Sequence, residues 1–125
     1  MIRLTEQQVL DVHSRMIEMT GGSDGVRDRS LLDSALNAPF QTFDRKEIYP
    51  ALLSKAAVMC RSIISNHPFV DGNKRIGIHV MLIFLELNGI ELQYSQNELI
   101  ELGLGVASSN LSSDDILKWL IEHAK

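Results

Sequence analysis

Within His67-Pro68-Phe69-Val70-Asp71-Gly72-Asn73-Lys74-Arg75 stand a histidine, a carboxylate, an amide and two cations. An imidazole titrates near neutrality and can accept a proton there. Pro68 and Phe69 stiffen the loop after His67, and Phe69 with Val70 is expected to anchor that loop in the core. A histidine held still in this way suits a general base acting on a hydroxyl nucleophile. Gly72 lets the backbone approach an anion closely. Asn73 supplies an amide where the next helix begins. Lys74 and Arg75 supply charge, the arginine with a fork matched to phosphate oxygens. A helix start with open N–H groups beside two cations is an anion site. Asp71 has two readings: a carboxylate that stabilises the helix start, or a ligand for Mg2+, which prefers oxygen and usually bridges a phosphate. The plain alternative is a solvated helix start that carries a Lys-Arg pair by chance.

Other chemistries fit less well. The G-x-x-x-x-G-K-S/T phosphate loop is absent. No cysteine or second histidine stands at zinc-ligand spacing from His67. His79 falls on roughly the same helix face as Arg75 and reads as a hydrogen-bonded core residue. His13 reads as a surface or partly buried helix residue rather than a catalytic one. The 16 acidic and 12 basic residues leave a net charge of -4, which argues against general nucleic-acid binding but not against a small positive pocket.

The elements that must position these groups are helical. The run 76–87 is apolar on nearly every side, broken by Gly77, His79 and Glu86, and predicts a helix buried all round that stops at Asn88-Gly89. Pro50 suits a first helical turn. Leu52, Leu53, Ala56, Ala57, Met59, Cys60, Ile63 and Ile64 then predict a second buried helix over about 50–65. Joined by the His67 loop, these two helices make the centre of an α-bundle. Around them, Thr5-Glu6-Gln7-Gln8 has capping-box spacing, with Val9, Val12, Met16 and Met19 as the inner face of a helix over about 5–19. Gly21 to Gly25 reads as a loop, and Asp28 caps a short helix with Leu31, Leu32, Ala35 and Leu36 inside, ended by Pro39. Residues 40–49 read as a loop or a short strand pair, its aromatics tucked onto the core or exposed on a flap. Residues 90–94 are a short extended piece. Ser95 to Glu98 repeats the capping box and opens a helix through about Val106. After a loop at 108–113, Ser112 or Ser113 caps a last helix with Ile116, Leu117, Leu120 and Ile121 facing inward and Trp119 as a packing residue. The 125 residues, 45% hydrophobic and 22% charged, are expected to form one domain, 1–125. The lone Cys60 reads as core and fits a reducing compartment. Without a signal peptide or a membrane span, a cytoplasmic protein is expected.

The nine residues from His67 to Arg75 resemble the Fic/Doc motif H-x-F-x-D/E-G-N-G/K-R. Gly21-Gly22, then Gly25-Val26-Arg27-Asp28, Leu31-Leu32 and Ala35-Leu36, resemble the N-terminal part of its death-on-curing (Doc) branch, and the likeness covers nearly the whole chain. The resemblance implies an all-α, compact helical bundle around a buried central helix, with a flap upstream of the motif. It implies transfer of part of a nucleotide from ATP to a protein hydroxyl, with His67 as base, Asp71 on Mg2+, and Gly72, Asn73, Lys74 and Arg75 on the phosphates.

Two departures from the AMP-transferring members bear on the product. Lys74 stands at their second glycine and Ile78 at their second arginine. A lysine crowds the place where backbone would hug phosphates, and one phosphate clamp is lost. Both changes are typical of the Doc branch, which resembles kinases that pass on the terminal phosphate. Its targets are translation factors of the elongation factor Tu type, and its members are toxins of toxin–antitoxin systems. The inhibitory S/T-x-x-x-E-G/N helix of other Fic proteins has its nearest string at 14–18, which fails at Met19. Restraint in trans by a separate, DNA-binding antitoxin is expected instead. AMP transfer is the alternative product, and a non-catalytic co-repressor module is the alternative class.

Overall fold

In a computed structural model that describes residues 1–108 and 111–125, the chain runs α1 (Glu6–Thr20), α2 (Arg29–Asn37), a 3-10 turn (Ala38–Phe40), a hairpin of β1 (Thr42–Phe43) and β2 (Lys46–Glu47), α3 (Leu52–Asn66), α4 (Asn73–Leu87), α5 (Gln96–Ala107) and α6 (Ser113–His123). This is an all-α fold. Of the expected loop at 108–113, Ser109 and Asn110 lie outside the described residues.

Local chemistry starts the helices where the sequence predicts. Thr5 with Gln8, Ser95 with Glu98, and Ser112 with Asp115 each form a reciprocal capping box. Asp28 accepts from the N–H groups of Ser30 and Leu31 at 3.0 and 3.2 Å. Pro39 converts the end of α2 into the 3-10 turn.

α3 and α4 form the largest helix pair and the centre of the core. Met59, Cys60 and Ile63 from α3 meet Ile76, Val80, Met81 and Phe84 from α4, all buried. A ring with no exposed surface, such as Phe84, contributes about 2–3 kcal/mol by burial. Gly77 lets the two helices approach: a Cβ there would stand 2.9 Å from Ile64 Cγ1 and 3.2 Å from the Cys60 carbonyl oxygen. Burial pushes the Cys60 thiol up to about 12, so it is an inert core group.

Several expected orientations differ. α4 is not buried all round, because His79 and Glu86 lie on an exposed face and His79 is a surface residue rather than a core one. On α1 the inner face is Val9, His13, Met16 and Ile17, while Met19 is 86% exposed. Ile121 of α6 also faces outward. In each case a helix has more apolar residues than its buried arc can cover. Residues 40–49 divide between the two readings. Phe40 packs edge-on against Phe84 with centroids 6.1 Å apart, whereas Phe43 stands exposed on the hairpin. The hairpin's base is tied down by Lys55, a buried cation on an otherwise apolar face, which pairs with Glu47 at 3.0 Å and donates to the Tyr49 carbonyl.

Candidate functional site

The turn between α3 and α4 is built as a clasp. α3 ends at His67, which is left-handed at φ 52°, and α4 begins after Gly72 at φ 77°. The backbone at the second position favours glycine. A side chain would be strained there, and its Cβ would stand 2.8 Å from Met16 Cε. Between the two, the chain is sewn to the segment after the glycine loop. The Pro68 carbonyl accepts from the N–H groups of Arg27 and Asp28 at 2.7 and 3.0 Å, and the Val70 N–H donates to the Gly25 carbonyl at 3.1 Å. The Arg27 guanidinium donates to the His67 and Asn66 carbonyls at 2.7 and 2.9 Å, satisfying the open end of α3.

Two buried polar side chains lock the turn. Asn73 accepts from the Phe69 N–H at 2.9 Å and donates back to the Phe69 carbonyl at 3.0 Å. His13 stacks on the Phe69 ring with centroids 3.8 Å apart, and its Nε2–H donates to the Asp71 carbonyl at 2.7 Å. Phe69 is the buried anchor expected of it, but Val70 is half exposed and lines the cleft instead.

The groups left facing solvent enclose a cleft of about 530 Å³. His67, Val70 and residues 71–75 form one wall, Ile78 lies deeper on α4, and Ile100, Gly103 and Leu104 of α5 form the opposite wall. His67 is exposed, and its imidazole shares this space with the start of α4, whose N-cap residue, Gly72, has no side chain to cap it. A helix start presents backbone N–H groups and the positive end of the helix dipole.

Each sequence-predicted residue thus has a place. Lys74 lies exposed at the cleft, beside Arg75. Arg75 turns toward the end of α1, donating to the Thr20 hydroxyl and, at 3.4 Å, to the Gly21 carbonyl. Asn73 lines the cleft, but its side-chain amide is bonded to the Phe69 backbone. The Asp71 carboxylate does not cap α4. One oxygen accepts from the Gly72 N–H at 2.8 Å and the other from the Ser23 N–H at 3.2 Å. These bonds, Ser23 first, hold its pKa below the usual aspartate value, with Arg75 adding to the effect. Asp71 is therefore an ionised carboxylate on the cleft wall. Among the described residues no cluster of acidic or histidine side chains could hold a metal by itself. One carboxylate with substrate phosphates fits the habit of Mg2+, which keeps several waters.

Sequence reasoning missed the supports. His13, Arg27 and the α5 residues Ile100, Gly103 and Leu104 carry no local signal, since each is defined by what it meets across the fold. Gly22 is a partial exception: its place in a glycine loop is legible, but not that a Cβ there would stand 2.6 Å from an Asp71 oxygen.

A sequence model of the Fic/DOC family matches residues 3–85. A protein named toxin Doc from Mycolicibacterium smegmatis is 43% identical over 72 residues, 58% of this chain and 55% of that protein's length. A protein named protein kinase doc from Escherichia phage P1 is 24% identical over 120 residues, 96% of this chain and 94% of that one. The stretch shared with the first thus spans about half of its length.

Proposed function

The chain belongs to the Fic/DOC family, and on that premise we propose that it is a Doc-type toxin of a toxin–antitoxin system that transfers the terminal phosphate of ATP to a hydroxyl on a translation factor of the elongation factor Tu type. The observation that carries this reading is that one cleft holds both the exposed His67 and the glycine-led, cationic start of α4. Phosphoryl transfer asks mainly for positioning and charge stabilisation. Gly72 lets the phosphates approach the backbone at the start of α4, and Asn73, through its backbone, with the Lys74 and Arg75 side chains, takes them. Asp71 would hold Mg2+, and the ion would supply charge neutralisation to those phosphates. His67 takes the proton of the target hydroxyl as its oxygen bonds to the terminal phosphorus, and ADP leaves. The name protein kinase doc of one relative supports this class of reaction, and the name toxin Doc of the other supports the role of toxin.

Ile78 supports phosphate rather than AMP as the group transferred. An apolar side chain lies in the cleft where a second arginine would clamp the nucleotide of an AMP-transferring member. The protein is incubated with Mg-ATP and elongation factor Tu, and the factor is examined by mass spectrometry. A phosphate on the factor is the expected result; an adenylate overturns the kinase reading. Growth arrest on expression should be lost in His67→Ala and relieved by a co-expressed antitoxin. Arrest that persists in the variant assigns the effect to binding alone.

A further inference from the structure

Away from the turn, four side chains form a separate cluster where α5 begins and α6 ends. His123 closes α6. Its Nδ1 faces the Trp119 carbonyl at 2.7 Å, its Nε2 is in direct contact with a Glu98 oxygen, and its ring stacks on Trp119 with centroids 4.1 Å apart. Tyr94 backs the indole at 5.5 Å. The other Glu98 oxygen accepts from the Ser95 N–H at 2.9 Å, as the capping box of α5.

The chemistry of the two acceptors fixes the state of the ring. A carbonyl can only accept. Glu98 is the acceptor of a helix cap and is held at about 2 by the Ser95 N–H first and the His123 contact second, so it is ionised and can only accept as well. Both imidazole nitrogens must then carry protons. The cation is further favoured by the C-terminal end of α6 and by the indole face beneath it.

We infer that His123, as an imidazolium, latches the end of α6 to the first turn of α5 and so positions the α5 wall of the cleft. Glu98 belongs to the same turn as Ile100, and Gly103 and Leu104 follow one turn later. His123 is thus a positioning residue at one remove from the cleft, and this holds whichever anion the cleft accepts.

The charges that act on the ring are Glu98 from α5 and Glu122 from its own helix. On the 90–94 segment, which bridges to Ala124, Glu91 is paired with Lys125 at 3.5 Å. The packed helix α3 carries Lys55 and Arg61, and Lys55 is committed to Glu47. The balance raises the folded-state pKa of His123 above its ordinary 6.5, the Trp119 carbonyl contributing most and Glu98 next. The latch is therefore fully present below pH 6.5 and is lost as pH rises through the raised value.

Trp119 is the sole tryptophan, so its fluorescence reads the latch directly. A stacked imidazolium quenches indole emission more than a neutral imidazole. In the wild-type protein the emission should rise with a midpoint above 6.5. The midpoint should fall toward 6.5 in Glu98→Gln, and the step should vanish in His123→Gln. At a fixed pH near 6, both variants should speed amide exchange in the first two turns of α5 by about tenfold, with α3 unchanged. A wild-type midpoint at or below 6.5 overturns the inference, and so does unchanged α5 exchange in a folded variant. Should the variants not fold, wild-type α5 exchange is compared below and above the midpoint, corrected for intrinsic rates and referred to α3. A selective rise in α5 supports the latch, and equal behaviour of the two helices overturns it.

Discussion

The two walls of the cleft are held by different kinds of force. The turn wall, His67 to Arg75, is sewn by backbone hydrogen bonds to residues 25–28 and by the buried side chains His13 and Asn73. The α5 wall stands on two buried anchors, Leu102 and Val106, and on the His123–Glu98 contact, and it offers Ile100 and Leu104 to solvent. The family match at 3–85 includes the whole of the first wall and none of α5. On the proposed function, the turn wall aligns a proton acceptor with an anion and tolerates little movement, because misplacement there costs rate directly. A wall that only shapes the space beside it can be apolar and adjustable. The difference suggests a division of labour in which the turn carries the chemistry and α5 sets what fits.

The largest expected break in that comparison is His67→Ala. It should lower phosphotransfer by about a hundredfold to ten-thousandfold in a Mg-ATP assay. Because the His67 side chain is exposed, the thermal midpoint should stay close to wild type. Asn73→Ala should do the reverse kind of damage. It strips both partners from the buried Phe69 backbone groups, and urea titration should show a loss of about 2–4 kcal/mol. His13→Phe keeps the stack on Phe69 but removes the bond to the Asp71 carbonyl, so about 1–3 kcal/mol should be lost by the same measurement. If neither variant destabilises the fold, the turn is not the rigid wall described above.

Smaller effects sharpen the other side. A Cβ at Gly103 has room, 3.9 Å from Ile78 Cδ1. Gly103→Leu should therefore preserve or raise stability, by about 0.5–1 kcal/mol from the removal of a mid-helix glycine. It should weaken nucleotide binding several-fold by calorimetry, because it fills the cleft. Binding that is untouched would show that α5 does not shape the site. The mildest probe is acid. The pKa values of Asp28, Asp71, Glu98 and Asp115 all lie below their ordinary values in the folded protein. Their contribution is present above the unfolded carboxylate range and is lost as pH falls through the lowered values, down to about 2 for Glu98. Stability followed by circular dichroism should thus decline below about pH 4 without a step near neutrality from these groups.

By itself the sequence determined the features whose causes are local. Two capping boxes, a serine cap at 112 or 113, the Asp28 cap and the Pro39 stop place the helix ends, since a cap lies within three residues of the N–H it satisfies. The apolar faces of α3 and α4 are legible as periodicity, and the motif at 67–75 is legible as spacing. Tertiary structure alone decided what each polar side chain does. An amide at a helix start reads the same whether it faces an anion or, like Asn73, turns inward to clasp Phe69. His13 is one more polar residue on an amphipathic helix until Phe69 and the Asp71 carbonyl arrive from the far side of the core. His79 and Met19 face outward because only part of a helix's circumference can be covered by its neighbours. The α5 wall is likewise beyond local signals: Ile100, Gly103 and Leu104 line the cleft only because α5 folds back over α4. Periodicity and caps are written in near neighbours along the chain, whereas a partner across the fold is chosen by packing that no short window contains.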